Sequence, residues 1–195
     1  MIVLNVNDAR GNDTAIYKQL RQTLERYQPW LCSAPRGNGN NPPPLPLDLR
    51  PILILTGGGA RGECFDNIPP EDRIYVFGSG NPDRPATNFN RWVNYSWSAV
   101  EPEGQSNTGE WTQQDRQRLE TLVNNAHENG YWIRFYSLDG FTPLMTAIQG
   151  WSPEYNFGSK EQAAIRWRAA KEAGVDFIAS DQYEEAAAVI QETAK

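Results

Sequence analysis

The chain has 195 residues, with 18 Lys+Arg against 24 Asp+Glu, a formal net charge of −6 and a single histidine. That length buries a full hydrophobic core without disulfides or metals and sets one α/β domain, residues 1–195, as the expectation. The acidic balance offers no positive field for a phosphate backbone, which argues against nucleic acid as a partner. Apolar runs such as Pro51 to Leu55 are about five residues long, far below the roughly 20 that a membrane-spanning helix needs, so no membrane span is expected.

Met1-Ile-Val-Leu-Asn-Val-Asn7 carries no basic region and no small-residue cleavage site, so it reads as a β-strand and not as a secretory signal. Asn12 or Asp13 is placed to cap a helix with Ile16, Leu20 and Leu24 on one face, ending before Pro29. Residues 33–51, rich in Pro, Gly and Asn, form a long surface loop. Ile52 to Thr56 and Ile74 to Phe77 are continuous apolar runs closed by glycines, the pattern of strands buried on both faces. Val93 to Trp97 is a weaker strand.

Thr112 followed by Asp115 resembles a capping box opening a helix with Leu119, Leu122, Val123 and Ala126, which stops at Gly130. A strand from Tyr131 to Tyr136 follows at once, then an aromatic loop from Phe141 to Phe157. A helix opened by Ser159 and Gln162 stops at Gly174 and turns directly into a strand from Val175 to Ala179. Asp181 is placed to cap the last helix. Strands alternating with helices predict an α/β fold with a mainly parallel sheet, whose strand-to-helix loops gather at the carboxyl ends of the strands, where ligands bind in barrel and doubly wound folds alike.

The segments Ala126-His-Glu-Asn-Gly-Tyr-Trp-Ile-Arg-Phe-Tyr136 and Gly174-Val-Asp-Phe-Ile-Ala-Ser-Asp181 resemble the closing strands of the phospholipase C-like phosphodiesterase superfamily, which includes the glycerophosphodiester phosphodiesterases. Leu4-Asn-Val-Asn7 is similar to the fourth barrel strand of that superfamily, and Ile54-Leu-Thr-Gly57 to its fifth. The resemblance implies strands four to eight of a (β/α)8 barrel, with strands one to three absent; an open doubly wound sheet is the alternative. It also implies a phosphodiester or phosphorylated small molecule as ligand, and a divalent cation, Ca2+ or Mg2+, as cofactor. In the superfamily the missing strands supply two catalytic histidines and most of the acidic metal ligands. This chain therefore reads either as part of a phosphodiester hydrolase or as a non-catalytic relative that binds a phosphorylated ligand or a partner protein. An incomplete barrel has open sheet edges, which self-association would cover.

Residue by residue, Asn5 stands where the superfamily has an acidic metal ligand, and Asn7 where it has a lysine. Val3, Asn5 and Asn7 share a strand face, and the amides serve either a cation or their strand neighbours. Arg134 shares a face with Trp132 and Tyr136, which aims its guanidinium at the interior near the strand's carboxyl end. It either contacts an anion, as a bidentate donor suits phosphate, or pairs with Asp139, Asp181 or another strand-end carboxylate. Arg134, Tyr136 and Asp139 are accordingly the candidate ligand residues. Asp139, Trp97, Trp151 and Tyr155 either line a pocket or cover the sheet end. Gly57 to Gly62 lacks the lysine and hydroxyl of a phosphate-cradling loop and reads as a turn. His127 falls on a crossover helix in a packing role. Cys32 and Cys64 are placed at opposite ends of the sheet, too far apart to bridge; two free thiols suit a reducing, cytoplasmic compartment.

Overall fold

The computed structural model of the protein describes residues 1–6, 14–57, 65–66, 68–103, 109–150 and 156–192. They form two compact units, Met1–Val93 with Glu128–Tyr131, and Asn94–His127 with Trp132–Lys195.

The first unit opens with β1 (Ile2–Val6) and α1 (Thr14–Leu24), which runs into a 3-10 turn over Glu25–Trp30 that accommodates Pro29. Then come β2 (Ala34–Pro35), β3 (Ile52–Thr56), β4 (Arg73–Ile74), β5 (Val76–Ser79) and the start of β6 (Asn90–Ser96). β1 pairs with β3, β3 with β5 and β5 with β6, all parallel. The run Ile74 to Phe77, expected as one strand, is divided at Tyr75. Ile74 belongs to β4, which pairs antiparallel with β2, while Val76 and Phe77 join the parallel sheet. Nor does Gly78 close the strand: it pairs with both Thr56 and Asn90, with a register shift immediately after it.

Residues 36–50 have little regular structure, yet buried polar groups hold them in place. Asn88, fully buried, accepts from Leu45 N at 3.0 Å and donates to Pro35 O at 2.7 Å and Arg36 O at 2.9 Å. Arg91 donates to Leu45 O at 2.6 Å with its guanidinium over the Phe77 ring, and burial lowers its pKa to about 10. These bonds supply partners that a loop without a ladder otherwise lacks.

In the second unit the end of β6 leads through a 3-10 turn at Trp97–Ala99 to α2 (Gln113–Glu128), β7 (Trp132–Tyr136), α3 (Pro143–Gln149), α4 (Lys160–Ala173), β8 (Phe177–Ile178) and α5 (Tyr183–Gln191). The capping box forms as expected: Thr112 Oγ1 accepts from Asp115 N at 3.2 Å, and the Asp115 carboxylate accepts from Thr112 N at 2.9 Å. Ser159 caps α4 through Gln162 N, and Gly174 ends it in the left-handed region at φ 83°. β7 and β8 are parallel, Arg134 pairing with Phe177.

Two expectations need correction. The aromatic loop from Phe141 to Phe157 contains helix α3, started by the Thr142 cap with Pro143 in its first turn. Asp181 does not cap α5. Gln182 holds that position and makes no side-chain cap bond; its Oε1 accepts from Gly140 N instead.

The strand order in the six-stranded sheet is β1-β3-β5-β6-β7-β8. With its parallel strand pairs and helices between them, the chain is an α/β protein.

One buried ion pair organises the second unit. Arg166 on α4, fully buried, donates to Glu101 at 2.6 and 3.0 Å, and Glu101 also accepts from Trp97 Nε1 at 2.6 Å. Gln162 Oε1 and Gly109 O take further guanidinium protons, and the rings of Trp111 and Phe157 flank the group. Trp97 is therefore a core residue and not part of a pocket lining.

Candidate functional site

The side chains of β7 alternate as the sequence predicts, but the fully buried face is that of Ile133 and Phe135. Phe135 lies 5.7 Å from the Tyr95 ring and 5.4 Å from the Trp97 ring, edge-on to the latter. Apolar packing therefore claims this face, and Trp132, Arg134 and Tyr136 occupy the half-buried one. Arg134 lies half-buried on that face.

Arg134 Nη1 donates to Asn94 Oδ1 at 2.8 Å, and the guanidinium stands 5.7 Å from the centre of the Tyr136 ring. Asp139 and Asp181 are not its partners: among the described residues, Arg134 forms no ion pair. A guanidinium carries five N–H donors, and a single neutral amide accepts from this one. Burial pushes its pKa below the ordinary arginine value, the direction expected where a cation loses water without gaining an anion. Arg134 is the central residue of β7, and Asn94 lies in the second half of β6.

Asp139 follows β7 and turns the other way. Its Oδ1 accepts from Ser180 Oγ and Asp181 N, each at 2.7 Å, while its own carbonyl accepts from Phe157 N. Burial raises the Asp139 pKa, partly opposed by these hydrogen bonds. With Gly140 N donating to Gln182 Oε1 at 2.6 Å, the carboxylate ties the segment after β7 to the turn before α5.

Beside this turn lies an open cleft of about 450 Å³, bordered by Phe141 and Met145 on one side and by Lys160, Asp181 and Glu185 on the other. Neither the cleft nor Asn94 was signalled in the sequence. Asn94 is an exposed strand residue 40 positions from Arg134, and only tertiary pairing brings them together.

His127, in the last turn of α2, has Nε2 3.0 Å from Asp176 Oδ2, and the same oxygen accepts from Ile133 N at 2.8 Å. These contacts tie α2 to the amino-terminal starts of β7 and β8. Asn5, in the first unit, lies half-buried opposite Leu55 in the strand register. Asn7, residues 58–64, Trp151 and Tyr155 fall outside the described residues.

The resemblance implies a divalent cation, for which the described residues group no donor set. Asn5 offers one neutral amide oxygen, and among the described residues no three His, Cys, Asp or Glu side chains are grouped to hold a metal ion. Hard cations are held by several oxygens, carboxylates foremost.

Comparisons with protein-family models, curated proteins and solved structures give no match. Among the described residues, no helix is long and apolar enough to cross a membrane.

Proposed function

We propose that this chain binds a phosphorylated small molecule through Arg134, on the face of β7 that it shares with Trp132 and Tyr136, and does not hydrolyse it unaided. The observation that carries this reading is the Arg134 guanidinium, held in place by Asn94 and the Tyr136 ring with no carboxylate among the described residues satisfying it. A planar fork of donors fits phosphate oxygens in pairs. Asn94 fixes the orientation of the fork without neutralising it, which leaves both charge and donors for a ligand. Trp132 and Tyr136, on the same strand face, supply aromatic surface for the rest of the molecule.

The phosphodiester hydrolase reading rests on the resemblance. In that superfamily, hydrolysis relies on two histidines as general base and acid. The single histidine here is engaged with Asp176, so binding is the role these residues support.

The test is a thermal-shift titration with glycerol phosphate, run beside an aryl phosphodiester hydrolysis assay with Ca2+, Mg2+ or EDTA. Stabilisation by glycerol phosphate without turnover is expected, and it is lost in Arg134→Met. Metal-dependent turnover by the 195-residue chain, abolished by EDTA, would overturn the non-catalytic reading.

A further inference from the structure

Helix α3 is amphipathic the wrong way round. Its one buried residue is Thr146, whose hydroxyl donates to Thr142 O at 3.1 Å and accepts from Asn156 Nδ2. Its large apolar residues face outward: Leu144 is 70% exposed, Met145 44% and Ile148 74%. A helix on a protein surface ordinarily buries such residues and exposes its threonine. Here two hydrogen bonds anchor the polar side and present the apolar side to solvent. The residues at 144, 145 and 148 form one continuous stripe, and an exposed apolar stripe of this kind marks an interaction surface.

The stripe borders the open cleft of about 450 Å³ through Phe141 and Met145, and the charges of that cleft identify the occupant. Glu161, Asp181 and Glu185 line it against a single lysine, Lys160, which is already paired with Glu185 at 3.3 Å. The carboxylates of Glu161 and Asp181 have no ion-pair partner among the described residues. A cleft with excess negative charge beside an apolar ridge repels anionic lipid and nucleic acid. It complements a chain segment in which Leu- or Phe-type residues alternate with Lys or Arg.

We propose that the α3 ridge and the adjoining cleft form a docking site for a basic amphipathic peptide segment of a partner protein. Its apolar residues pack on Leu144, Met145 and Ile148, and its cations reach Glu161 and Asp181. The site stands independently of the anion contact at Arg134 and uses different residues.

The probe is a fluorescein-labelled 14-residue peptide of Leu and Lys in amphipathic helical order, followed by anisotropy at low and moderate salt. A matched peptide with Glu for every Lys serves as control. Two double variants dissect the site: Leu144→Ser with Ile148→Ser, and Glu161→Lys with Asp181→Lys. All four positions are surface ones, and thermal melts verify that both variants fold. The proposal expects saturable binding of the Lys peptide that weakens with salt, none of the Glu peptide, and at least about fivefold weaker binding for each double variant. Absence of binding would overturn it. So would equal binding of both peptides, binding unchanged in either variant, or stronger association with vesicles of anionic lipid than with the Lys peptide. Retention of phosphate stabilisation in both variants, with peptide binding lost, separates this site from that at Arg134.

Discussion

The Arg166–Glu101 pair sets a clear test of how the second unit is held together. Both side chains are buried, at 0% and 6% exposure, so neither charge has water to fall back on when its partner is removed. Glu101→Gln keeps an oxygen for Trp97 Nε1 but leaves the guanidinium buried without an anion, a loss of about 3–5 kcal/mol for breaking a buried pair from one side. Gln162 Oε1 and Gly109 O still accept from Arg166, which places this variant towards the lower end of that range. Arg166→Met leaves the carboxylate with the Trp97 N–H alone and belongs at the upper end. At about 2–4 °C per kcal/mol for a chain of this size, either variant melts roughly 6–20 °C below the parent. Urea unfolding followed by circular dichroism measures both, together with the double variant Glu101→Gln/Arg166→Met. The double variant removes both charges and falls short of the summed losses by at least about 1.5 kcal/mol. Losses below about 1 kcal/mol for the single variants, or strict additivity, would refute the view that a desolvated ion pair organises this unit.

Other substitutions probe separate parts of the molecule. Burial favours the acid form of Asp139 in the folded state, so the stability linked to this group is present at low pH and is lost as pH rises through the carboxylate range. Asp139→Asn retains an acceptor for Ser180 and Asp181; its stability should therefore gain on the parent as pH rises above the ordinary aspartate value of about 4, and a relative decline there would contradict the sign. Asn88→Ala removes the acceptor of the Leu45 amide, and hydrogen exchange at Leu45 accelerates at least about tenfold; unchanged exchange would mean that residues 36–50 are held by other contacts. His127→Ala breaks a half-exposed pair with Asp176 and costs about 1 kcal/mol or less in chemical unfolding, with phosphate binding intact. Loss of that binding would return His127 to the functional site.

The parts of this fold legible in the sequence are those set by contacts within a few residues. Thr112 with Asp115, Ser159 with Gln162, and the glycines at 130 and 174 each define a helix boundary through local backbone bonds, and each does so in the structure. The α/β class followed from them. Helix α3 was invisible because its apolar residues face solvent and its one buried residue is a threonine, which leaves no buried stripe to find. The position given to Asp181 is held by Gln182, while the Asp181 backbone N–H donates to Asp139, 42 residues earlier in the chain. At the candidate site, alternation placed Arg134 and Tyr136 on one face correctly. The neutral partner Asn94 came from another strand, 40 residues away, so no local pattern carried it.

The central claim is that Arg134 is an anion contact waiting for a phosphate, and calorimetric titration with glycerol phosphate tests it most directly. The parent chain binds one equivalent, with affinity falling as salt rises. Arg134→Met weakens binding at least about tenfold, since both charge and fork are lost, while Arg134→Lys, which keeps the charge without the fork, falls between. Identical affinity in the parent and Arg134→Met, or no binding by a folded parent, would contradict the account.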